Sequence, residues 1–129
     1  MSETYYTNDH EWITVAQEKS NDEPIVTLGI TEYAQESLGE IVFVDLPNLG
    51  DSFNAGDTVA VVESVKAASD IFLPVGGKII EINSQLDDAP ELVNESPEGE
   101  GWFIKILSST VINQDNLMTH QEYIKFTES

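Results

Sequence analysis

Val61-Val62-Glu63-Ser64-Val65-Lys66-Ala67-Ala68-Ser69-Asp70 decides the architecture of this chain. Two β-prone arms meet at a point where the apolar run lapses, and Ser64 suits the first position of a type I turn. That register puts Lys66 third, at the tip of a tight hairpin. Turn propensity alone does not find the bend, because Val65, Lys66 and Ala67 are poor turn formers. Working outward, Gly56 lies ten residues before Lys66 and Gly77 eleven after it, so arms of nearly equal length flank the tip. Strands are predicted over 58–64, 69–73 and 78–83.

The same pattern continues on both sides. Residues 11–15, 24–30 and 40–46 predict three earlier strands, with a polar turn over 17–23. Thr31 is placed to N-cap a short helix over 32–38, and Gly39 to end it. Pro47-Asn48-Leu49-Gly50 and Ala55-Gly56-Asp57 read as turns. Residues 87–91 begin a loop or helical turn that runs through Leu92 and Val93. Residues 97–101 read as a loop, and 102–107 as a last strand. Thr119 with Glu122 three residues on forms a capping-box signature, which predicts a C-terminal helix carrying Tyr123, Ile124 and Phe126 against the sheets. Short strands at fairly regular spacing predict a sandwich or barrel-like β fold, and 129 residues suit a single domain over 1–129.

Five Lys and no Arg stand against 24 Asp plus Glu, a formal net charge of −19. Nucleic acid and anionic membrane surfaces would both repel such a chain. The same field favours fast, salt-sensitive encounter with basic protein surfaces, or simply keeps the chain soluble. The absence of cysteine excludes disulfides, thiol catalysis and Cys-ligated metals. No apolar run approaches the roughly 20 residues that cross a bilayer. The start, Met1-Ser2-Glu3-Thr4-Tyr5-Tyr6, lacks the features of a signal or transit peptide. A soluble cytoplasmic monomer is expected, and a trimmed mitochondrial-matrix protein would read the same way.

Glu63-Ser64-Val65-Lys66-Ala67 resembles the lipoyl-lysine motif of the H proteins of the glycine cleavage system. Further segments resemble that family in the same order along the chain: His10-Glu11-Trp12, residues 29–35, residues 38–47, Pro90-Glu91-Leu92-Val93-Asn94, Gly99-Glu100-Gly101-Trp102 and Lys105-Ile106. The resemblance implies a barrel-sandwich hybrid of the lipoyl/biotinyl-carrier type, mainly β with short helices including one at the C-terminus. It implies lipoic acid joined covalently to Lys66, with Glu63, Ser64, Val65 and Ala67 forming the lipoylation turn. It also implies a carrier with no active site of its own. Its partners would be a lipoate-attaching enzyme, the pyridoxal-phosphate glycine decarboxylase (P protein), the aminomethyltransferase (T protein) and dihydrolipoyl dehydrogenase (L protein). The cofactor carries the chemistry, and the protein supplies attachment, orientation and shielding.

A loaded arm would end in an amine, which carboxylates in a surface cleft could hold. By similarity Glu11 and Asp70 are the candidates, with Asp9 a weaker third at a position where family members vary. Each is also readable as an ordinary surface acid. Glu98 departs from the family pattern, in which an aromatic is frequent, and this bears on packing of the 97–101 loop. His10-Glu11 begins like a zinc-protease motif, but Thr14 stands where the second ligand belongs, so no metal site is expected. His10 then reads as structural or cleft-lining, and His120 as exposed. Gly99-Glu100-Gly101 precedes a strand and has Ile104 where a dinucleotide fingerprint needs glycine. Trp12 and Trp102 read as core anchors, with lining of the arm's resting cleft as the second reading.

Three other carriers compete. Biotin domains flank their lysine with methionines, whereas Met1 and Met118 are both remote from Lys66. Lipoyl domains of 2-oxoacid dehydrogenases carry Asp before the lysine and adjoin Ala/Pro-rich linkers, and Val65 and the absence of such a linker argue against one. A lipoyl donor in a relay to other proteins is not separable from glycine cleavage on these residues. An enzyme with an acidic active site lacks a convergent His, Cys or metal cluster.

Overall fold

A computed structural model describes residues 2–17, 24–108 and 117–128. In chain order the elements are β1 (Ser2–Tyr6), β2 (Glu11–Gln17), β3 (Pro24–Ile30), α1 (Glu32–Leu38), β4 (Ile41–Asp45), β5 (Ser52–Phe53), β6 (Thr58–Ser64), β7 (Ala68–Phe72), β8 (Gly77–Ile82), α2 (Gln85–Asp88), α3 (Leu92–Glu95), β9 (Ile104–Ser108) and α4 (His120–Glu128). They build a six-stranded sheet of order β1-β2-β3-β9-β8-β5 and a three-stranded sheet of order β4-β6-β7. Each paired strand runs antiparallel to its neighbours. The expected mainly β barrel-sandwich is the observed fold.

One core joins the sheets. Ile13, Val26, Leu28, Ile104 and Ile106 point inward from the larger sheet, and Val44, Val62 and Ile71 from the smaller. Phe103 and Leu73, both fully buried, fill the space beside them. Strand β9 alternates buried and half-buried residues along its length, as a strand with one face in the core must. Trp12 is buried as expected, and its indole N–H donates to the Pro97 carbonyl at 2.9 Å. Gly29 lies opposite Trp12 in the β2–β3 ladder, where a Cβ would stand 2.7 Å from the indole ring. Only glycine leaves room there. Trp102 is half-buried and packs against the second, smaller cluster of Tyr6, Trp12 and Tyr123, with the Lys105 ammonium 5.1 Å from its ring centroid, while the neighbouring Phe103 lies in the main core.

Helix α1 begins and ends where expected. The Thr31 hydroxyl accepts from Ala34 N–H at 3.2 Å, and Gly39 N–H closes the far end on the Gln35 carbonyl. The α4 capping box also forms, with Thr119 N–H donating to Glu122 Oε1 and Glu122 N–H to the Thr119 hydroxyl. Tyr123 is the buried side chain of this helix, stacked on Tyr6 at 4.8 Å; Phe126, 42% exposed, meets the His10 ring at 5.7 Å, and Ile124 is 40% exposed. Residues 85–95 hold two short helices: α3 is the helical turn expected through Leu92 and Val93, and α2 was not expected. Strands β1 and β5 were not expected. Of the 17–23 turn, residues 18–23 lie outside the described residues.

Candidate functional site

The β6–β7 hairpin closes over two residues, Val65 and Lys66. Ser64 N–H donates to the Ala67 carbonyl at 2.8 Å, and the Ser64 hydroxyl does the rest. Its oxygen accepts from Lys66 N–H and Ala67 N–H, both at 3.1 Å, and its proton goes to the Ala67 carbonyl at 3.1 Å. A side chain thus takes the place of the backbone acceptor that a turn ordinarily uses. No residue of the tip has a positive φ, since His10 is the one non-glycine that does among the described residues. The bend therefore has none of the left-handed residues of type I′ or II′ turns, and Ser64 stands first and Lys66 third in it, as expected.

The tip is tied down from the side as well. Val65 N–H donates to the Glu40 carbonyl at 3.0 Å. The junction of α1 and β4 is in turn fixed by Asn94 of α3. Its side-chain oxygen accepts from Ile41 N–H, and its amide donates to Gln35 Oε1 and to the Gly39 carbonyl, all at 2.8–2.9 Å. Lys66 is exposed, and its aliphatic stem lies back across Gly39. A Cβ on Gly39 would stand 3.3 Å from Lys66 Cε and 3.7 Å from Nζ. Gly39, with φ of 83°, therefore both ends α1 and leaves a shallow seat for the lysine. Neither Asn94 nor the second use of Gly39 was foreseen from the sequence.

Glu11 opens β2 and is 2% exposed. Its Oε2 accepts from Phe72 N–H, on the edge strand β7 of the other sheet, at 2.8 Å, and its Oε1 accepts from the Thr7 hydroxyl at 3.3 Å. One carboxylate thus bridges the two sheets. Burial pushes its pKa up to about 7 against the pull of the Phe72 and Thr7 hydrogen bonds, and the like charge of Asp9 adds to the rise. Asp9 is exposed on the tight 7–11 loop, and Asp70 is exposed on β7 two residues before Phe72. The fold thus gathers Glu11, Asp9 and β7 into one region, with only Glu11 buried.

His10 is structural. It sits at φ of 67°, its Nδ1 is 2.7 Å from the Tyr123 hydroxyl, and its ring stacks on Tyr33 at 4.5 Å. Burial holds its pKa below the usual imidazole value, although the Asp9 charge works the other way. The Tyr123 hydroxyl also lies 2.7 Å from Thr31 Oγ1, which ties α4 to the start of α1. His120 is exposed, as expected. Glu98, the departure noted in the 97–101 loop, accepts from Glu32 N–H at 2.9 Å and from the Tyr6 hydroxyl at 3.4 Å. It caps the first turn of α1 where an aromatic could not.

Among the described residues no group of three His, Cys, Asp or Glu could hold a metal, and no helix is long and apolar enough to cross a membrane. The arrangement offers an exposed amine on a braced bend.

The comparisons with known proteins agree with one another. The family model described as glycine cleavage H-protein matches residues 4–129. The glycine cleavage system H protein of Carboxydothermus hydrogenoformans is 48% identical over 123 residues, 95% of this chain and 90% of the relative. That of Parvibaculum lavamentivorans is 47% identical over 129 residues, 100% of this chain and 98% of the relative. The crystal structure of the H protein from Mycobacterium marinum superposes with a TM-score of 0.85 at 36% identity, covering 98% of each chain.

Proposed function

From its membership of the glycine cleavage H-protein family, shown by these matches, we propose that this chain carries a lipoyl group on Lys66 through the steps of glycine cleavage. In this reading residues 1–129 act as one carrier domain in the cytoplasm. They pass between glycine decarboxylase, the aminomethyltransferase and dihydrolipoyl dehydrogenase after a lipoate-attaching enzyme has modified the lysine. When bound, the lipoyl group would supply a dithiolane that accepts the aminomethyl fragment of glycine, is left as a dithiol when that fragment is handed on, and is returned to the dithiolane by dihydrolipoyl dehydrogenase.

The residues present fit that group. Lys66 stands exposed at the bend of the β6–β7 hairpin, where the Ser64 hydroxyl accepts from its backbone N–H and from that of Ala67. This is the observation that carries the proposal. Glu63, Ser64, Val65 and Ala67 set the turn, and Ser64 is the member whose work is visible in hydrogen bonds. Glu11 and Asp70 remain the proposed holders of a terminal ammonium. A carboxylate offers about four acceptor positions, and Phe72 N–H and the Thr7 hydroxyl use two of Glu11's. An ammonium could take one of the others and would restore the charge that burial opposes. Asp70, exposed on β7, would contribute a second carboxylate from the solvent side.

Intact mass tests the attachment. One lipoyl adduct on the chain, absent from Lys66→Arg, is expected from cells that make lipoate. An unmodified wild-type chain from such cells, or an adduct that survives Lys66→Arg, refutes it.

A further inference from the structure

Strand β4 departs from the alternation of an edge strand in a way that alters the surface next to Lys66. Its register against β6 slips between Ile41 and Phe43. Ile41 and Val44 stay buried, and Val42 and Phe43 both face outward, each 48% exposed. A bulge of this kind re-aims side chains, and here it places two apolar ones in water. Val65, beside Lys66 at the tip, is 65% exposed. The Val65–Glu40 backbone hydrogen bond makes the tip and the start of β4 one continuous surface. Alongside it runs an open groove of about 540 Å³, lined in part by Glu40, Val42, Glu91 and Glu95. All three carboxylates are exposed.

Resting on the carrier reading, we propose that Val42, Phe43 and Val65, with the glutamates of this groove, form the surface read by the enzyme that attaches the lipoyl group. That enzyme would present an apolar patch bordered by Lys or Arg. The chemistry of the unmodified chain singles out this partner. Lys66, Lys78 and Lys125 are all exposed, so a bare ammonium does not identify the target. The later enzymes can grip the arm itself, but the attaching enzyme meets a chain that has none. It must recognise protein surface, and the surface in contact range of Lys66 is apolar with an acidic border. An acidic border on a chain of net charge −19 complements a basic one and steers the encounter.

The test uses the unmodified full chain, lipoate, ATP and a lipoate–protein ligase, with product followed by intact mass. For Val42→Thr with Phe43→Thr, the KM for the carrier is expected to rise about tenfold with kcat unchanged, the behaviour of lost docking contacts. For Glu40→Gln with Glu91→Gln and Glu95→Gln, KM is expected to rise at low salt, and its dependence on salt to flatten. The second set alters only exposed residues and keeps the test open if the first fails to fold. Unchanged KM in both sets overturns this docking surface while leaving the carrier reading intact. No adduct on the wild-type chain at any concentration overturns both. A concentration-dependent wild-type dimer that the β4 substitutions abolish assigns the face to a second copy of this chain and also overturns the proposal.

Discussion

Replacing Glu11 by Gln separates the charge of that side chain from its shape. A buried carboxyl with a pKa of about 7 holds its proton in the folded state over a range where the unfolded chain, near 4.5, has lost it. Between those values the folded state binds more protons than the unfolded, so stability is highest below 4.5, falls as pH rises, and levels off above 7. From pH 5 to pH 8 the loss assignable to Glu11 is about 2–3 kcal/mol. The neutral amide of Glu11→Gln keeps one acceptor for Phe72 N–H and titrates nowhere in this window. The many other acids shift with pH in both proteins alike, so the difference between the two isolates position 11. Urea denaturation followed by tryptophan fluorescence measures it, Trp12 being buried one residue away. The variant should be less stable than wild type at pH 5, or equal to it, and should gain about 2–3 kcal/mol relative to it by pH 8. A stability difference that stays constant between pH 5 and pH 8 refutes the argument. It would mean that Glu11 is ionised in the fold at ordinary cost, with the Phe72 and Thr7 hydrogen bonds outweighing burial.

Two further substitutions probe the hairpin and its support. Ser64→Ala removes a hydroxyl that accepts from two tip amides and donates to a carbonyl. It should cost about 1 kcal/mol in thermal or urea unfolding and slow acylation of Lys66, and an unchanged acylation rate would show that the bend persists without it. Asn94→Ala strips the partners from Ile41 N–H and the Gly39 carbonyl at the α1–β4 junction. It should cost about 2–4 kcal/mol, whereas a loss under 1 kcal/mol would show that water replaces the amide there.

The parts of the fold governed by neighbouring residues were legible in the sequence. Thr31, Gly39 and the Thr119–Glu122 pair act within a turn of where they stand, and all do what their positions predict. Lys66 at the third place of its turn follows from Ser64 in the same way. Strand β1 includes the good strand formers Thr4, Tyr5 and Tyr6, but Ser2–Tyr6 shows no apolar–polar alternation to announce it. Strand β5 has two residues, too few to show a period. Asn94 was seen as part of a motif, but its three partners lie 53 to 59 residues away, and nothing local announces such contacts. The same holds for the Glu11 bond to Phe72, 61 residues distant, and for the β4 bulge, since residues 40–46 read as one unbroken strand. Trp102 and Phe103 are adjacent and serve two different clusters, the smaller one of Tyr6, Trp12 and Tyr123 and the main core, and composition does not say which takes which.

Because a serine hydroxyl rather than a glycine shapes the hairpin tip, three hydrogen bonds hold the backbone under Lys66, and a group carried there would turn about a braced point. Such a group would owe its range mainly to the side-chain bonds of Lys66 and would sweep a volume centred on one spot of the surface. A partner that encloses it gives up the torsional entropy of the tether, about 0.5–1.5 kcal/mol for a long side chain, and none for ordering a loop. A floppier bend would have added the immobilisation of its backbone at each docking, about 1–2 kcal/mol per residue, and a carrier that visits several enzymes in turn would meet that penalty every time.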